Sequence, residues 1–178
     1  MEKQSLSVPH QIVISDNGST DKTVTVAQKS GVQVVTGSRR GYIGEARAFG
    51  CREALKLIKN DPKGEEIIIN TDADCILGRD YFAQIASAYQ HPEINASMGP
   101  VIFRDKRRQL TFRKVYHPIA LTIVATNLQA WWLLKYLHKT ATLFGANTVI
   151  RRKTYEQYGG FSAEARVVED LDLALKLL

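Results

Sequence analysis

Two aspartates stand one residue apart at the end of an aliphatic run, in the segment IIINTDADCIL at residues 67–77. An unpaired carboxylate is costly to bury, so Asp72 and Asp74 need a reason to follow a core strand. In an extended segment, residues two apart point the same way, so both aspartates can face one ligand. Paired carboxylates suit a hard divalent cation, Mg²⁺ or Mn²⁺, that is shared with substrate phosphates. A polar turn leaving the strand is the simpler explanation of the same tripeptide.

A third carboxylate, Asp16, follows an earlier aliphatic run and opens the segment DNGSTD. Asp16-Asn17-Gly18 has turn chemistry, and Ser19 or Thr20 can cap a helix that follows. In a parallel sheet, the loops that follow the strands emerge at one edge, where ligands bind. The pattern therefore predicts either a plain turn or a ligand acceptor close to the other two aspartates.

An acidic pair, Glu169-Asp170, precedes the apolar run LDLALKLL. Acidic residues stabilise a helix N-terminus by about 0.3–1 kcal/mol, which accounts for the pair without a function. The functional alternative is a general base at the edge of a site. Arg39, Arg40 and Arg47 are either surface charges or phosphate contacts, because they lie in and after a Gly-bracketed loop that feeds a helix.

The elements that must position these residues alternate along the chain as strand, helix, strand, helix, which predicts an α/β domain with a mostly parallel sheet. Continuous aliphatic runs suit strands that are covered on both faces. The predicted strands are Gln11–Ser15, Val32–Thr36, Glu65–Thr71, part of Asn95–Phe103 and the segment FGANTVI. The first predicted helix runs from the cap at Ser19 or Thr20 to Gly31. Three further helices are predicted at Glu45–Lys59, Asp80–Gln90 and Thr154–Tyr158.

The pattern changes at Arg104, where RDKRRQLTFRK carries six basic residues in eleven. An amphipathic helical region with Trp131-Trp132 follows at about Pro118–His138. A solvated charged face followed by a core helix explains this composition. An interfacial helix near anionic lipid is the alternative.

Length, charge and cysteine content restrict the number of domains, the partners and the compartment that are expected. The chain has 178 residues, which fits one domain, and its net charge of +6 favours anionic partners such as phosphates and nucleotides. Cys51 and Cys75 are too few for a disulfide framework and fit a reducing compartment. No signal-peptide pattern and no run of 18 apolar residues is present in the sequence. We expect a cytoplasmic protein, with peripheral contact at the inner face of a membrane as an option.

Two other classes are disfavoured. The basic segment Arg104–Lys114 lacks a helix-turn-helix, zinc or RNA-binding signature, so no nucleic-acid partner is expected. A dinucleotide-dependent dehydrogenase is disfavoured because no G-x-G-x-x-G follows the first strand.

The order of the motifs is more specific than any one of them. DNGSTD, a Gly-rich basic loop, D-A-D, GANTVIRRKTYEQYGGF and EDLDLALK follow one another between Gln11 and Leu178. This order resembles the inverting family 2 glycosyltransferases of the GT-A fold, whose sheet is mixed but mostly parallel and flanked by helices. The resemblance implies transfer of a sugar from a nucleotide-diphosphate donor, a UDP-sugar, to an acceptor hydroxyl with metal assistance. The acceptor would be a sugar, a lipid-linked compound or another small molecule.

The resemblance also implies roles for single residues. On the donor side, Asp16 would contact the nucleotide base, Asp72 would lie near the ribose, and Asp74 would ligate Mg²⁺ or Mn²⁺. Arg47 matches the arginine of the family's A-R-N stretch and belongs to the nucleotide-binding set, although Ala48 replaces the asparagine.

On the acceptor side, Asp170 would be the catalytic base, and Glu169 would support it or contact the acceptor. One domain is expected, with residues 1–103 as its nucleotide-binding half and residues 104–178 as its acceptor and catalytic-base half.

The chain departs from the family pattern at both ends. Family domains begin with a strand and a P-x-x-N-E segment, which lies between the DNGSTD strand and the D-A-D strand, and this chain starts after it. It stops at Leu178, before the Q-x-x-R-W of many processive members. We therefore expect an incomplete domain with weak or absent transfer and a reduced affinity for the nucleotide. The alternative is a catalytically inactive module of the same fold that binds a nucleotide or a partner. The missing first strand favours this alternative, whereas the intact Asp74 and Asp170 disfavour it.

Overall fold

The computed structural model describes residues 4–5, 9–37, 41–58, 66–98, 147–165 and 169–177. These residues form a mixed α/β arrangement. The strands are β1 (Val13–Asp16), β2 (Gln33–Thr36), β3 (Ile67–Thr71), β4 (Ala96–Met98) and β5 (Asn147–Arg151). The helices are α1 (Thr23–Lys29), α2 (Ile43–Leu57), α3 (Tyr81–Ala88), α4 (Arg152–Gln157) and α5 (Glu169–Lys176).

The predicted alternation of strands and helices is confirmed, whereas one helix start differs. Helix α1 begins at Thr23, and its N-cap residue is Lys22, with no capping side-chain bond, rather than Ser19 or Thr20. The Oδ1 atom of Asp21 accepts a hydrogen bond from the Thr23 N–H at 2.9 Å, so a local aspartate stabilises the first turn instead.

Several expectations fall on residues outside the described ranges. These are Arg39, Arg40, the basic run Arg104–Lys114 and the helix Pro118–His138 with its tryptophan pair. Among the described helices, none is long and apolar enough to cross a membrane.

The strands pair in two groups. β1 and β2 are parallel, with Val13 opposite Gln33 and Asp16 opposite Thr36. β5 lies between β3 and β4 and is antiparallel to both. The described ladders therefore differ from the mostly parallel sheet expected, because an aliphatic run indicates a buried strand but not its direction. No ladder between described residues joins β1 to β3, where the resemblance places a further strand.

The core lies around β5. Thr148, Val149 and Ile150 are almost fully buried, and Leu173 of α5 has no exposed surface. Ile150 and Leu173 belong to a cluster that also contains Cys51, Tyr155, Phe161 and Ala174. The core is thus formed by β5 together with side chains of α2, α4 and α5.

Helix α2 approaches both strand β1 and the segment before α5 very closely. A Cβ on Gly50 would lie 2.8 Å from the Cβ of Ser15 in β1. A Cβ on Gly44 would lie 2.5 Å from the backbone oxygen of Ser162 and 2.8 Å from that of Ala165. Glycine at these two positions lets α2 bring its side chains between the turn after β3 and the start of α5.

Candidate active site

The turn after β1 is built around a buried carboxylate. Asp16 is 5% exposed. Its Oδ2 accepts a hydrogen bond from the Gly18 N–H at 3.1 Å, and its Oδ1 accepts one from the Ser19 N–H at 3.1 Å. Hydrogen bonds from the side chain of Ser19, and then from the backbone of Ser19 and Gly18, lower the pKa of Asp16 despite its burial. The predicted turn is confirmed, and Asp16 is held as an anion within it.

A cleft of about 390 Å³ opens beside this turn, at the carboxyl ends of β1 and β2 and against α2. Its lining includes Asp16, Thr36, Phe49 and Arg52. The guanidinium carbon of Arg52 lies 5.2 Å from the centroid of the Phe49 ring. Such a volume, with an aromatic face, a cation and a carboxylate, suits a small polar ligand with a flat ring system.

One rim of the cleft is fixed by a reciprocal pair of hydrogen bonds. The side-chain amide of Asn17 donates to the Gly41 oxygen at 3.0 Å, and the Gly41 N–H donates to Asn17 Oδ1 at 3.0 Å. These bonds tie the DNGSTD turn to the segment that enters α2. The sequence analysis did not select Phe49 and Arg52. Their spacing of three residues on a predicted helix could have indicated that the two side chains are neighbours.

The segment after β3 is a turn and not an extended chain. β3 ends at Thr71, and the Cys75 N–H donates to the Asp72 backbone oxygen at 3.0 Å. Of the two explanations of this tripeptide, the polar turn is therefore confirmed, and the extended segment with both aspartates on one face is wrong because the chain bends between them. Asp74 is exposed, whereas the side chain of Asp72 is 42% exposed and ion-paired.

Arg47 joins the turn after β3 to the start of α5. Its Nη2 donates to Asp72 Oδ1 at 2.7 Å, and its Nε lies 2.8 Å from Glu169 Oε1. The side chains of Arg47 and Glu169 are only 10% and 6% exposed. We call this arrangement the Arg47 bridge. It brings together three residues that the sequence analysis selected separately.

The two acidic residues that open α5 have different surroundings. Glu169 is buried against Arg47, whereas Asp170 is partly exposed and its Oδ1 accepts a hydrogen bond from the Leu171 N–H at 2.8 Å. Asp170 is thus the accessible carboxylate of the pair, and Glu169 is the anchored one.

A further polar pair lies beside the turn after β3. Asn147 is 8% exposed and stands opposite Thr71 in the β3–β5 ladder. The hydroxyl of Tyr81, the first residue of α3, donates to Asn147 Oδ1 at 2.5 Å. Burial raises the pKa of Tyr81 to about 12, so it remains a donor at neutral pH. This pair fixes the end of β3, from which Asp72 and Asp74 follow.

The described residues contain no group of three or more histidine, cysteine, aspartate and glutamate side chains that could hold a metal ion. Asp74 is exposed and forms no hydrogen bond or ion pair with another described residue. Mg²⁺ is commonly held by one or two carboxylates together with substrate phosphates and water. A single free carboxylate therefore fits a cation that arrives with a diphosphate.

The chain is an α/β domain with a candidate enzyme site. The site consists of acidic turns after β1 and β3, a cleft beside the first turn, and the acidic start of α5, which Arg47 links to the turn after β3. Residues 67–178 match the family model described as glycosyl transferase family group 2. The match spans more than half of the chain, so the chain belongs to this family. Membership implies the GT-A fold. A comparison with curated proteins finds no match.

The matched residues include most of the candidate site. They contain β3 with its acidic turn, β5 with Asn147, and α5 with Glu169 and Asp170. Asp16, Arg47 and, apart from Ala163, the residues that line the cleft precede the matched segment. Arg47 is nevertheless in direct contact with two carboxylates that the match includes.

Proposed function

We propose that the chain binds a nucleotide-diphosphate sugar, a UDP-sugar, together with Mg²⁺ or Mn²⁺ and transfers the sugar to an acceptor hydroxyl with inversion. The observation that carries this proposal is the Arg47 bridge inside a family 2 glycosyltransferase chain. It connects the acidic turn of the donor side to the acidic helix start of the acceptor side through one guanidinium.

The donor would lie along the ends of β1 and β3. The cleft beside Asp16 would receive the base, with Phe49 and Arg52 as its flat and cationic walls. Asp72 would accept a hydrogen bond from the ribose, and Asp74 would hold the cation shared with the diphosphate. When bound, that cation stabilises the negative charge that develops on the leaving diphosphate.

The acceptor would approach the partly exposed Asp170. Its hydroxyl oxygen forms a bond to the anomeric carbon on the face opposite the diphosphate, the bond from that carbon to the diphosphate oxygen breaks, and the configuration inverts. The hydroxyl proton passes to the Asp170 carboxylate, which acts as general base. Glu169 is buried against Arg47 and would hold the first turn of α5 in place.

Thermal unfolding with UDP, GDP, CDP and dTDP, each with and without Mn²⁺, tests this proposal. A ligand at a hundred times its Kd stabilises a protein by about 2.7 kcal/mol, which for a chain of this size is a Tm increase of roughly 5–11 °C. We expect one diphosphate to give such an increase only with Mn²⁺, and Asp74→Ala to abolish it.

Asp80→Ala is the matched control, because Asp80 is exposed and its side chain makes no capping bond to α3. It should leave the nucleotide-dependent increase in Tm unchanged. If no diphosphate shifts the Tm of the wild-type chain, the proposed transferase is overturned and the nucleotide-free, partner-binding alternative takes its place.

A further inference from the structure

We infer that Arg47 is a positioning residue for the proposed site and does not itself bind the nucleotide. It orients Asp72 toward the donor, and it anchors Glu169, the residue next to Asp170 at the start of α5. The family pattern implied a nucleotide contact for this arginine. The inference rests on the proposed function, since it assigns a role within the same site.

The burial of Arg47 argues against a direct contact with the donor. Its side chain is 10% exposed, its Nη2 lies 2.7 Å from Asp72 Oδ1, and its Nε lies 2.8 Å from Glu169 Oε1. A buried guanidinium that already has two anionic partners offers little surface or positive charge to a diphosphate. Among the described residues that line the cleft, the exposed cation is Arg52, whose side chain is 64% exposed.

Asp72 is held by one oxygen and presents the other. Arg47 takes Oδ1 at 2.7 Å, while the side chain remains 42% exposed and its Oδ2 forms no hydrogen bond with other described residues. A carboxylate fixed in this way presents one acceptor in a set direction, which suits a hydroxyl group such as those of a ribose. Without Arg47, the carboxylate would rotate freely and accept the hydroxyl less well.

Glu169 depends on the same guanidinium for its burial. Its side chain is 6% exposed, and a buried carboxylate without a cation is strongly unfavourable. Because Glu169 is the first residue of α5, its attachment to Arg47 sets the position of the turn that carries Asp170. One side chain therefore couples the donor side of the site to the acceptor side.

Two double-mutant cycles on the affinity for UDP with Mn²⁺, measured by calorimetry, test the inference. The first pairs Arg47→Lys with Asp72→Asn. If Arg47 acts through Asp72, Arg47→Lys lowers the affinity by about tenfold in the wild-type background and has no further effect in Asp72→Asn. Equal losses in both backgrounds would mean that Arg47 meets the nucleotide independently, and would overturn the inference.

The second cycle pairs Glu169→Gln with Asp72→Asn. It tests the same coupling if the Arg47→Lys variant does not fold. Removing the charge of Glu169 frees Arg47 from one partner, so it should lower UDP affinity in the wild-type background and not in Asp72→Asn. Additive effects, or no effect of Glu169→Gln, would contradict the coupling through Arg47.

A ligand lacking both ribose hydroxyls, dideoxyuridine diphosphate, separates positioning from general loss of structure. The wild type should prefer UDP over this analogue, and Arg47→Lys or Glu169→Gln should remove most of that preference. Lys56→Ala, which removes an exposed α2 cation paired with Glu53, should keep it. Should the wild type bind no nucleoside diphosphate, the proposed function fails and this inference falls with it; binding without coupling overturns the inference alone.

Discussion

Acidic residues close together in this chain have different surroundings, and these surroundings separate their roles. Asp16 is enclosed by the N–H groups of its own turn, and Asp72 is paired with a guanidinium. Asp74 is exposed, so it is the carboxylate with room for a cation. At the start of α5, Glu169 is buried and ion-paired with Arg47, whereas Asp170 is partly exposed, so Asp170 is the carboxylate that an acceptor can reach.

Asp170→Asn should strongly reduce transfer while leaving donor binding intact, because the amide cannot accept a proton. Loss of a general base lowers turnover by about 10²–10⁴-fold. Hydrolysis of the donor, in which water replaces the acceptor, measures turnover, and the Tm increase with UDP and Mn²⁺ measures binding. Glu164→Gln, at an exposed position of the loop before α5, is the control. Full turnover in Asp170→Asn would remove this residue from the reaction.

The two thiols should differ in reactivity with a disulfide reagent. Cys75 is partly exposed beside Asp74, and Cys51 is buried in the core, where burial raises the pKa of its thiol. We expect one fast-reacting thiol, Cys75, whose labelling UDP with Mn²⁺ slows, and a second that reacts only on unfolding. Equal labelling rates in the native protein would contradict the burial of Cys51.

The same burial gives a pH dependence of stability. Folding raises the pKa of the Cys51 thiol. The contribution of this thiol to the stability of the folded state is therefore complete below the ordinary thiol pKa, and it is lost as the pH rises through the raised pKa. Cys51→Ala should therefore flatten the alkaline loss of unfolding free energy relative to the wild type. Cys75→Ala, whose thiol is partly exposed, provides the comparison in the same denaturant titrations.

At the scale of elements, helix α2 carries most of the connections within the site. It contributes Arg47 to the bridge, Phe49 and Arg52 to the cleft, and Cys51 to the core. Its N-terminal turn passes so close to the loop before α5 that only a glycine fits at residue 44.

Gly44→Ala should destabilise the protein even though alanine is the better helix former. The helix propensity gain is about 1 kcal/mol, but the added Cβ would stand 2.5 Å from the backbone oxygen of Ser162, which cannot move aside as a side chain can. Overpacking of this kind costs about 1–3 kcal/mol, so the net change should be a loss. Denaturant unfolding measures it.

Gly78→Ala is the matched control for this substitution, since a Cβ there meets nothing within 4 Å. It should alter the unfolding free energy by less than about 0.5 kcal/mol. A Gly44→Ala variant as stable as Gly78→Ala would mean that α2 and the loop before α5 are not in close contact.

The sequence predicted those elements whose signals are local. The aliphatic runs of β1 and β3, the turn chemistry at Asp16 and the acidic start of α5 each depend on neighbouring residues, and each is present in the structure. Strand direction depends on pairing between distant segments, so the antiparallel placement of β5 beside β3 could not be predicted from composition.

Within the site, residue types were predicted more readily than partners. Arg47 and Asp72 are 25 positions apart, and no local pattern indicates that they form an ion pair. At Asp72–Cys75 the sequence left a polar turn and an extended segment open, and the structure has the turn, which depends on neighbouring residues alone. By contrast, the adjacency of Phe49 and Arg52 follows from helical spacing alone.

At the scale of the whole molecule, the described strands form two groups that differ in burial. β5 is hydrogen-bonded to a strand on each side, and three of its residues are almost completely buried. β1 and β2 pair with each other, and β2 has exposed residues at both of its ends. Helix α2 contacts both β1 and α5 and so links the two groups.

Hydrogen exchange should therefore reveal two levels of protection. Amides of β5 and of its partners β3 and β4 should exchange only on global unfolding, whereas those of β1 and β2 should exchange through smaller openings. Mass spectrometry of peptides from the two groups measures the difference.

Ile150→Val tests whether the two groups unfold separately. Shortening this buried β5 side chain costs about 0.5–1.5 kcal/mol, a loss that should speed exchange in β3, β4 and β5 together. If the β1–β2 pair opens on its own, Ile150→Val should leave the exchange rates of β1 and β2 unchanged. Val34→Ala in half-buried β2 should then speed exchange in β1 and β2 and leave β3, β4 and β5 unchanged. Equal acceleration in all five strands by either variant would mean that the Arg47 bridge and the packing of α2 bind the two groups into one cooperative unit.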